Sequence, residues 1–115
     1  MNRCLLVPAI LLAALPSVAQ AATSAENLDC AIWTSVTMDE NTDPDIVNGL
    51  GYALSWFIGL YEGATGKDID NAMAARVAVM SDADFKKLDG VCIARMQGFG
   101  TRLSALAQRL AAQGS

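Results

Sequence analysis

The chain contains no histidine, only three prolines, and few aromatic residues, which make up 6% of its 115 positions. Histidine is the commonest metal ligand and a frequent general base, and its side chain alone titrates near neutral pH without perturbation. The chain also lacks a Cys-x-x-Cys pair that would lower a thiol pKa, and its glycines form no phosphate-binding loop after a strand. We therefore predict that the protein is not an enzyme and that it binds no metal and no cofactor.

Basic residues are also scarce, since eight of them face twelve acidic residues and the formal net charge is −4. Nucleic-acid binding depends on a basic surface that neutralises phosphates. The composition therefore predicts that nucleic acid is not a partner.

The N-terminus has the layout of a secretory signal peptide. Arg3 precedes an apolar run over residues 5–15, and the small-x-small sequence of residues 19–21 follows it. We predict a signal peptide over residues 1–21, cleavage after Ala21, a single helical domain over residues 22–115, and a periplasmic location. After cleavage we expect no transmembrane span, because the longest uncharged segment, residues 46–61, is too short to cross a bilayer comfortably.

Two cysteines, Cys30 and Cys92, remain once Cys4 is removed with the signal peptide. An exported chain folds in an oxidising compartment, so we expect these two to form a disulfide. In the chain-entropy model, closing a loop of this length stabilises a fold by about 4 kcal/mol.

Start and stop signals divide the domain into four helical segments. Their predicted N-caps carry a hydroxyl or a carboxylate that can accept a hydrogen bond from free amides of the first turn. These N-caps are Thr23, Asp43, Asp68 and Ser81. The segments are expected to end near Met38, Glu62, Met80 and Ala111, and no segment alternates as a strand. The predicted fold class is all-α, a small three- to four-helix bundle stapled by one disulfide.

The second helix is apolar on every side, which is typical of a helix buried among others. We therefore predict that it is the central helix of the bundle. The alternative is that its small-residue ridge and the adjoining apolar ridge form an exposed interaction surface for a client protein or a second copy. That surface would consist of Gly51, Tyr52, Ser55, Trp56, Gly59, Leu60 and Gly63.

The fourth helix carries apolar residues at alternating spacings of four and three, a heptad pattern. These residues are Cys92, Met96, Phe99, Leu103, Leu106 and Leu110, flanked by Arg95, Arg102 and Arg109. We predict that this seam faces the core, and a homodimeric coiled coil is the alternative. Gly98 and Gly100 within the helix predict a kink or a close backbone contact.

The segment Cys30-Ala31-Ile32-Trp33, with an aromatic residue three positions after a cysteine, resembles the periplasmic acid-stress chaperone family. The polar loop and Pro44 before the second helix are similar to that family as well. The segment over residues 57–63 also resembles small exported proteins of Gram-negative bacteria. The chaperone resemblance implies that acid neutralises carboxylates, loosens the fold and frees the second helix for unfolded clients.

Our leading functional hypothesis is a non-enzymatic periplasmic protein-binding domain, and the resemblance implies an acid- or stress-chaperone role for it. One alternative is a structural subunit or homodimeric component of an envelope complex. A carrier of a small apolar ligand is the other. The ligand would be bound by the aromatic side chains Trp33, Trp56, Phe57 and Tyr61.

Overall fold

A computed structural model describes residues 21–114 as four α-helices, with no strand in that range. The helices are α1 (Ser24–Glu40), α2 (Pro44–Thr65), α3 (Ile69–Val77) and α4 (Asp82–Gln113). This confirms the all-α class and the four-helix organisation. Apart from Ala21, the predicted signal peptide lies outside the described residues.

Three of the four predicted helix starts are confirmed at the level of their capping contacts. Thr23 with Glu26 at the start of α1, and Ser81 with Asp84 at the start of α4, form complete capping boxes. Asp43 accepts a hydrogen bond from the Asp45 amide at 2.9 Å, and a proline occupies the first position of α2. Local sequence therefore determines where these helices begin.

The capping contact predicted at the start of α3 is wrong. Asp68 occupies the N-cap position, but its side chain accepts no capping hydrogen bond. The Ile69 amide instead donates to the Glu62 carboxylate at 3.3 Å, across the turn in which Gly66 adopts a left-handed φ of 67°. The group that caps α3 therefore comes from the preceding helix.

The central helix is α1, and the prediction that α2 would be central is wrong. Helix α1 packs against each of the other three helices. Its buried residues form a nearly continuous run of Cys30, Ala31, Ile32, Trp33 and Thr34. Helix α2 buries only Leu50, Ala53 and Phe57, and its uncharged outer side remains open to solvent.

The predicted disulfide between Cys30 and Cys92 is present, and it joins α1 to α4 at a Cα–Cα distance of 5.4 Å. Both cysteines are buried. The core continues around them through Ala31, Trp33, Leu50, Ala53, Phe57 and Ile69. The bridge is therefore an integral part of the small core.

Two polar contacts tie α3 and α4 to the central helix. The Trp33 indole nitrogen donates to the Asp89 carboxylate of α4 at 2.6 Å. Arg76 of α3 forms a two-pronged contact with Asp29, with its Nε 2.7 Å from Oδ1, and this contact raises the pKa of the guanidinium. Every buried side-chain polar atom within residues 21–114 has a hydrogen-bond partner.

Candidate functional site

The side chains that attach helix α4 to the other helices lie before Thr101. Cys92 is bonded to α1, Arg95 donates hydrogen bonds to the Asn27 side chain and the Glu26 carbonyl, and the Phe99 ring stacks on Trp56 of α2 at 4.5 Å. From Thr101 to Gly114 every residue is exposed. We call residues 101–114 the α4 tail.

The tail carries three leucines of the predicted heptad seam on one side. Leu103, Leu106 and Leu110 are 45%, 44% and 59% exposed, and we call them the tail face. Residues at spacings of three and four lie on one side of a helix. The prediction that the seam faces the core is therefore correct for Cys92 and wrong for the tail face.

Helix length explains why the tail face is exposed. Helix α4 has 32 residues and α1 has 17, which correspond to about 48 Å and about 26 Å at 1.5 Å per residue. The central helix is too short to cover the whole of its neighbour. The predicted helix starts and ends already make the fourth helix much longer than the first. This length difference could have indicated that the end of the heptad seam would be exposed.

An apolar groove adjoins the tail face where α4 passes α2. It has a volume of about 360 Å³ and is open to solvent. Its lining residues are Gly49, Tyr52, Ala53, Met96, Gln97, Phe99, Gly100 and Leu103. Leu103 belongs both to this α2/α4 groove and to the tail face, so the two form one continuous apolar surface.

Of the seven residues predicted to form an interaction surface on α2, only Tyr52 lines this groove. Tyr52 is 72% exposed, which makes it the most exposed aromatic side chain among residues 21–114. The other predicted members are distributed around the helix, either half-buried (Gly51, Trp56, Leu60) or exposed (Ser55, Gly59, Gly63).

The small-residue ridge of α2 does not bring another described helix close. A Cβ atom built at Gly59 or Gly63 meets no atom within 4 Å, and one built at Gly51 meets only the Met38 sulfur at 3.9 Å. A Cβ atom built at Gly98 or Gly100 also meets no atom within 4 Å, so of the two alternatives predicted for these glycines, a kink or a close backbone contact, the close contact is not present among the described residues. Sequence reasoning missed the groove residue Gly49 as part of a binding surface, and it placed Met96 only in the heptad seam of the fourth helix.

A second cleft of about 500 Å³ lies beside the first turn of α1 and is lined in part by Trp56, Leu60 and Arg95. The guanidinium of Arg95 lies over the Phe57 ring, 4.9 Å from its centroid, and 5.6 Å from that of Trp56. Burial lowers the pKa of Arg95, with a smaller opposing effect of Glu26. The two aromatic rings offer this partly desolvated cation a favourable electrostatic contact.

Two of the four aromatic residues considered for a ligand carrier belong to the packed core. Trp33 and Phe57 are buried, whereas Trp56 and Tyr61 are half-buried. Among residues 21–114, no three acidic or cysteine side chains are grouped so that they could hold a metal ion. None of the helices in this part of the chain is both long and apolar enough to cross a membrane.

The chain matches no protein-family model, and neither a curated protein nor a solved structure is significantly similar to it. The class of protein is therefore defined by the fold itself, a disulfide-stapled four-helix domain with an exposed apolar helix end.

Proposed function

We propose that this chain is a non-enzymatic protein-binding domain of the periplasm, and that its binding surface is the tail face with the α2/α4 groove. The observation that carries the proposal is the regular exposure of Leu103, Leu106 and Leu110 next to a groove lined almost entirely by apolar atoms. Contiguous apolar surface of this kind is typical of contact sites. Burying a leucine side chain contributes about 1.5–3 kcal/mol, so three leucines supply substantial affinity.

The periplasmic part of the proposal is supported by the N-terminal sequence and by the buried disulfide. A chain with a charged end, a short apolar run and a small-x-small site is typical of exported proteins. Disulfides form and persist in oxidising compartments. The bridge between Cys30 and Cys92 is consistent with such a compartment.

Site-specific photo-cross-linking in cells tests the proposed surface. A photoreactive phenylalanine analogue is placed at Ala107, which flanks the tail face, and in a separate variant at Gln108, which lies on the opposite side of the helix. We expect a covalent adduct with another polypeptide from position 107 and none from position 108. Adducts at neither position, or equal adducts at both, would contradict the proposal.

A second proposed function is the acid-triggered chaperone activity implied by the sequence resemblance. The observation that favours it is that carboxylates hold both outer helices, Asp29 to Arg76 of α3 and Asp89 to Trp33. The pKa of Asp84 at the start of α4 is lowered by its hydrogen bonds with Ser81, so the fold would lose the contribution of this carboxylate to its stability as the pH falls through that pKa. The apolar face of α1 would then become available to unfolded proteins.

Aggregation of an acid-sensitive client at pH 2–3, with and without this chain, tests the second proposal. Protection together with new binding of a hydrophobic dye below pH 4 is the expected result. The double variant Asp29→Asn and Asp89→Asn should bind the dye at a higher pH than the parent chain. Absence of both protection and dye binding in acid would exclude this activity.

A further inference from the structure

The two charge signs are separated along the chain. From residue 22 to residue 66 there is no lysine or arginine, and the acidic residues of this stretch lie on α1, α2 and the loop between them. After Asp89 there is no acidic residue, and the charged side chains of α4 beyond that position are Arg95, Arg102 and Arg109. The α1/α2 hairpin is therefore acidic and the α4 tail is basic.

The arginines of the tail have no acidic partner within the described chain. Among residues 21–114, Arg102 and Arg109 form no ion pair, whereas Arg76 does. Pairing the tail with an identical tail would not provide one, because the tail itself contains no carboxylate. A complementary surface has to offer both apolar area and negative charge.

Such a surface is present on the same molecule, at the first turn of α2. Asp45 is exposed and precedes Gly49 by four residues and Tyr52 by seven, so all three lie on one side of the helix. Gly49 and Tyr52 line the α2/α4 groove. The groove is therefore lined mainly by apolar residues, and the Asp45 carboxylate lies on α2 one helical turn before the groove residue Gly49.

We propose that the partner of this surface is a second copy of the same chain, with the tail face of each copy docked in the α2/α4 groove of the other. Arg109 of one copy then lies near Asp45 of the other, and the arrangement occurs twice. Each chain carries both halves of the complementary pair, which is the condition for a closed two-fold interface. The inference depends on the proposed function, since it identifies the protein that the tail face binds.

The α4 tail extends beyond the packed part of the helix with every residue exposed, which is a further argument for a docked partner. The tail also includes Leu103, Leu106 and Leu110, which gain from burial only when another molecule covers them.

The first test is the mass of the full chain, purified as the cell processes it, by light scattering over a concentration series. We expect a mass of two chains, and we expect Leu106→Lys to weaken self-association about 30-fold or more, as for a hot-spot residue. Gln108→Lys adds the same charge on the opposite side of the helix and should leave the mass unchanged. Circular dichroism verifies that both variants remain folded.

The second test exchanges charges between two chains. Asp45→Lys and Arg109→Glu each place like charges at both contacts of a homodimer, so each variant alone should associate more weakly. When the two variants are mixed, both contacts become attractive again, and heterodimers should form in preference to either homodimer. Native mass spectrometry distinguishes the three species.

A monomeric mass at concentrations up to about 100 μM, or no preference for the heterodimer, would overturn the proposal of a second copy. Cross-linking from Ala107 separates this result from failure of the proposed function. A monomer that still forms adducts with a different polypeptide retains the binding surface but has another partner. A monomer without adducts contradicts both proposals.

Discussion

At the scale of single residues, polar contacts at the edge of the core orient the helices. Trp33 is buried, and its indole N–H donates a hydrogen bond to Asp89, fifty-six positions later. Arg95 donates a hydrogen bond to the Asn27 side chain, and its guanidinium lies over the aromatic ring of Phe57. Because hydrogen bonds depend on direction, these contacts define the position of α4 more narrowly than apolar packing alone.

Removing the acceptor of the Trp33 indole should destabilise the fold. We expect Asp89→Ala to lower the free energy of unfolding by about 1–3 kcal/mol, since a largely buried donor loses its partner. Urea unfolding followed by circular dichroism measures the change. Asp39→Ala, which removes the same charge from the exposed end of α1, should have little effect, and equal losses in the two variants would contradict the assigned role of Asp89.

At the scale of elements, helix starts were predictable and buried faces were not. The capping boxes at Thr23 and Ser81 and the start at Asp43 depend on residues within three or four positions, so short sequence windows contain the necessary information. The choice of α1 as the central helix depends on which surfaces fit together in three dimensions. Hydrophobicity alone predicted that α2 would be the central helix, although the outer side of α2 is exposed.

The capping contact at the start of α4 should make stability depend on pH. The Ser81 amide donates to the Asp84 carboxylate at 3.1 Å, and this hydrogen bond, with one from the Ser81 side chain, lowers the pKa of Asp84. A carboxyl whose folded pKa lies below its unfolded value stabilises the fold above about pH 4 and loses that contribution as the pH falls through the folded pKa. The stability of Asp84→Asn should therefore fall less steeply below about pH 4.

Urea unfolding between pH 2 and pH 6 measures this difference. The parent chain and Asp84→Asn should differ most near pH 6 and converge near pH 2. Asp39→Asn is the matched control, because Asp39 forms no capping contact. A constant difference between the parent chain and Asp84→Asn across the whole range would contradict the assignment.

Two glycines of the chain should respond in opposite ways to alanine. Gly98 lies within α4 with nothing within 4 Å of a built Cβ, and we expect Gly98→Ala to stabilise the helix by about 0.5–1 kcal/mol. Gly66 has a left-handed φ of 67°, and Gly66→Ala should destabilise the fold by about 1 kcal/mol. Helical circular dichroism and urea unfolding measure both effects, and a loss of stability in Gly98→Ala would indicate a close neighbour of that glycine.

At the scale of the whole molecule, a small core is held by one covalent link between the first and last helices. The bridge spans a sequence separation of 62 residues and is buried beside Phe57. A domain of this size buries a limited fraction of its surface, so the cross-link contributes a large part of its stability. Of the ten large apolar side chains that are exposed among residues 21–114, five lie on α4.

Reduction of the disulfide should lower the free energy of unfolding by about 4 kcal/mol. Because Cys30 and Cys92 are buried, a small thiol should reduce the bridge slowly in buffer and much faster as urea opens the fold. Thiol trapping followed by mass spectrometry gives the rate, and urea unfolding of the alkylated chain gives the stability. Rapid reduction in buffer would contradict the buried position of the bridge.

The helical class, three of the four helix caps and the pairing of Cys30 with Cys92 could be predicted from the sequence. The first two depend on neighbouring residues, and the pairing follows once Cys4 is assigned to the predicted signal peptide. The central position of α1 is evident only in the folded structure, and the tail face is exposed because α4 packs against this shorter helix. A heptad seam has the same pattern whether it faces a core or solvent. Only the unequal lengths and relative positions of α1 and α4 determine how much of that seam is covered.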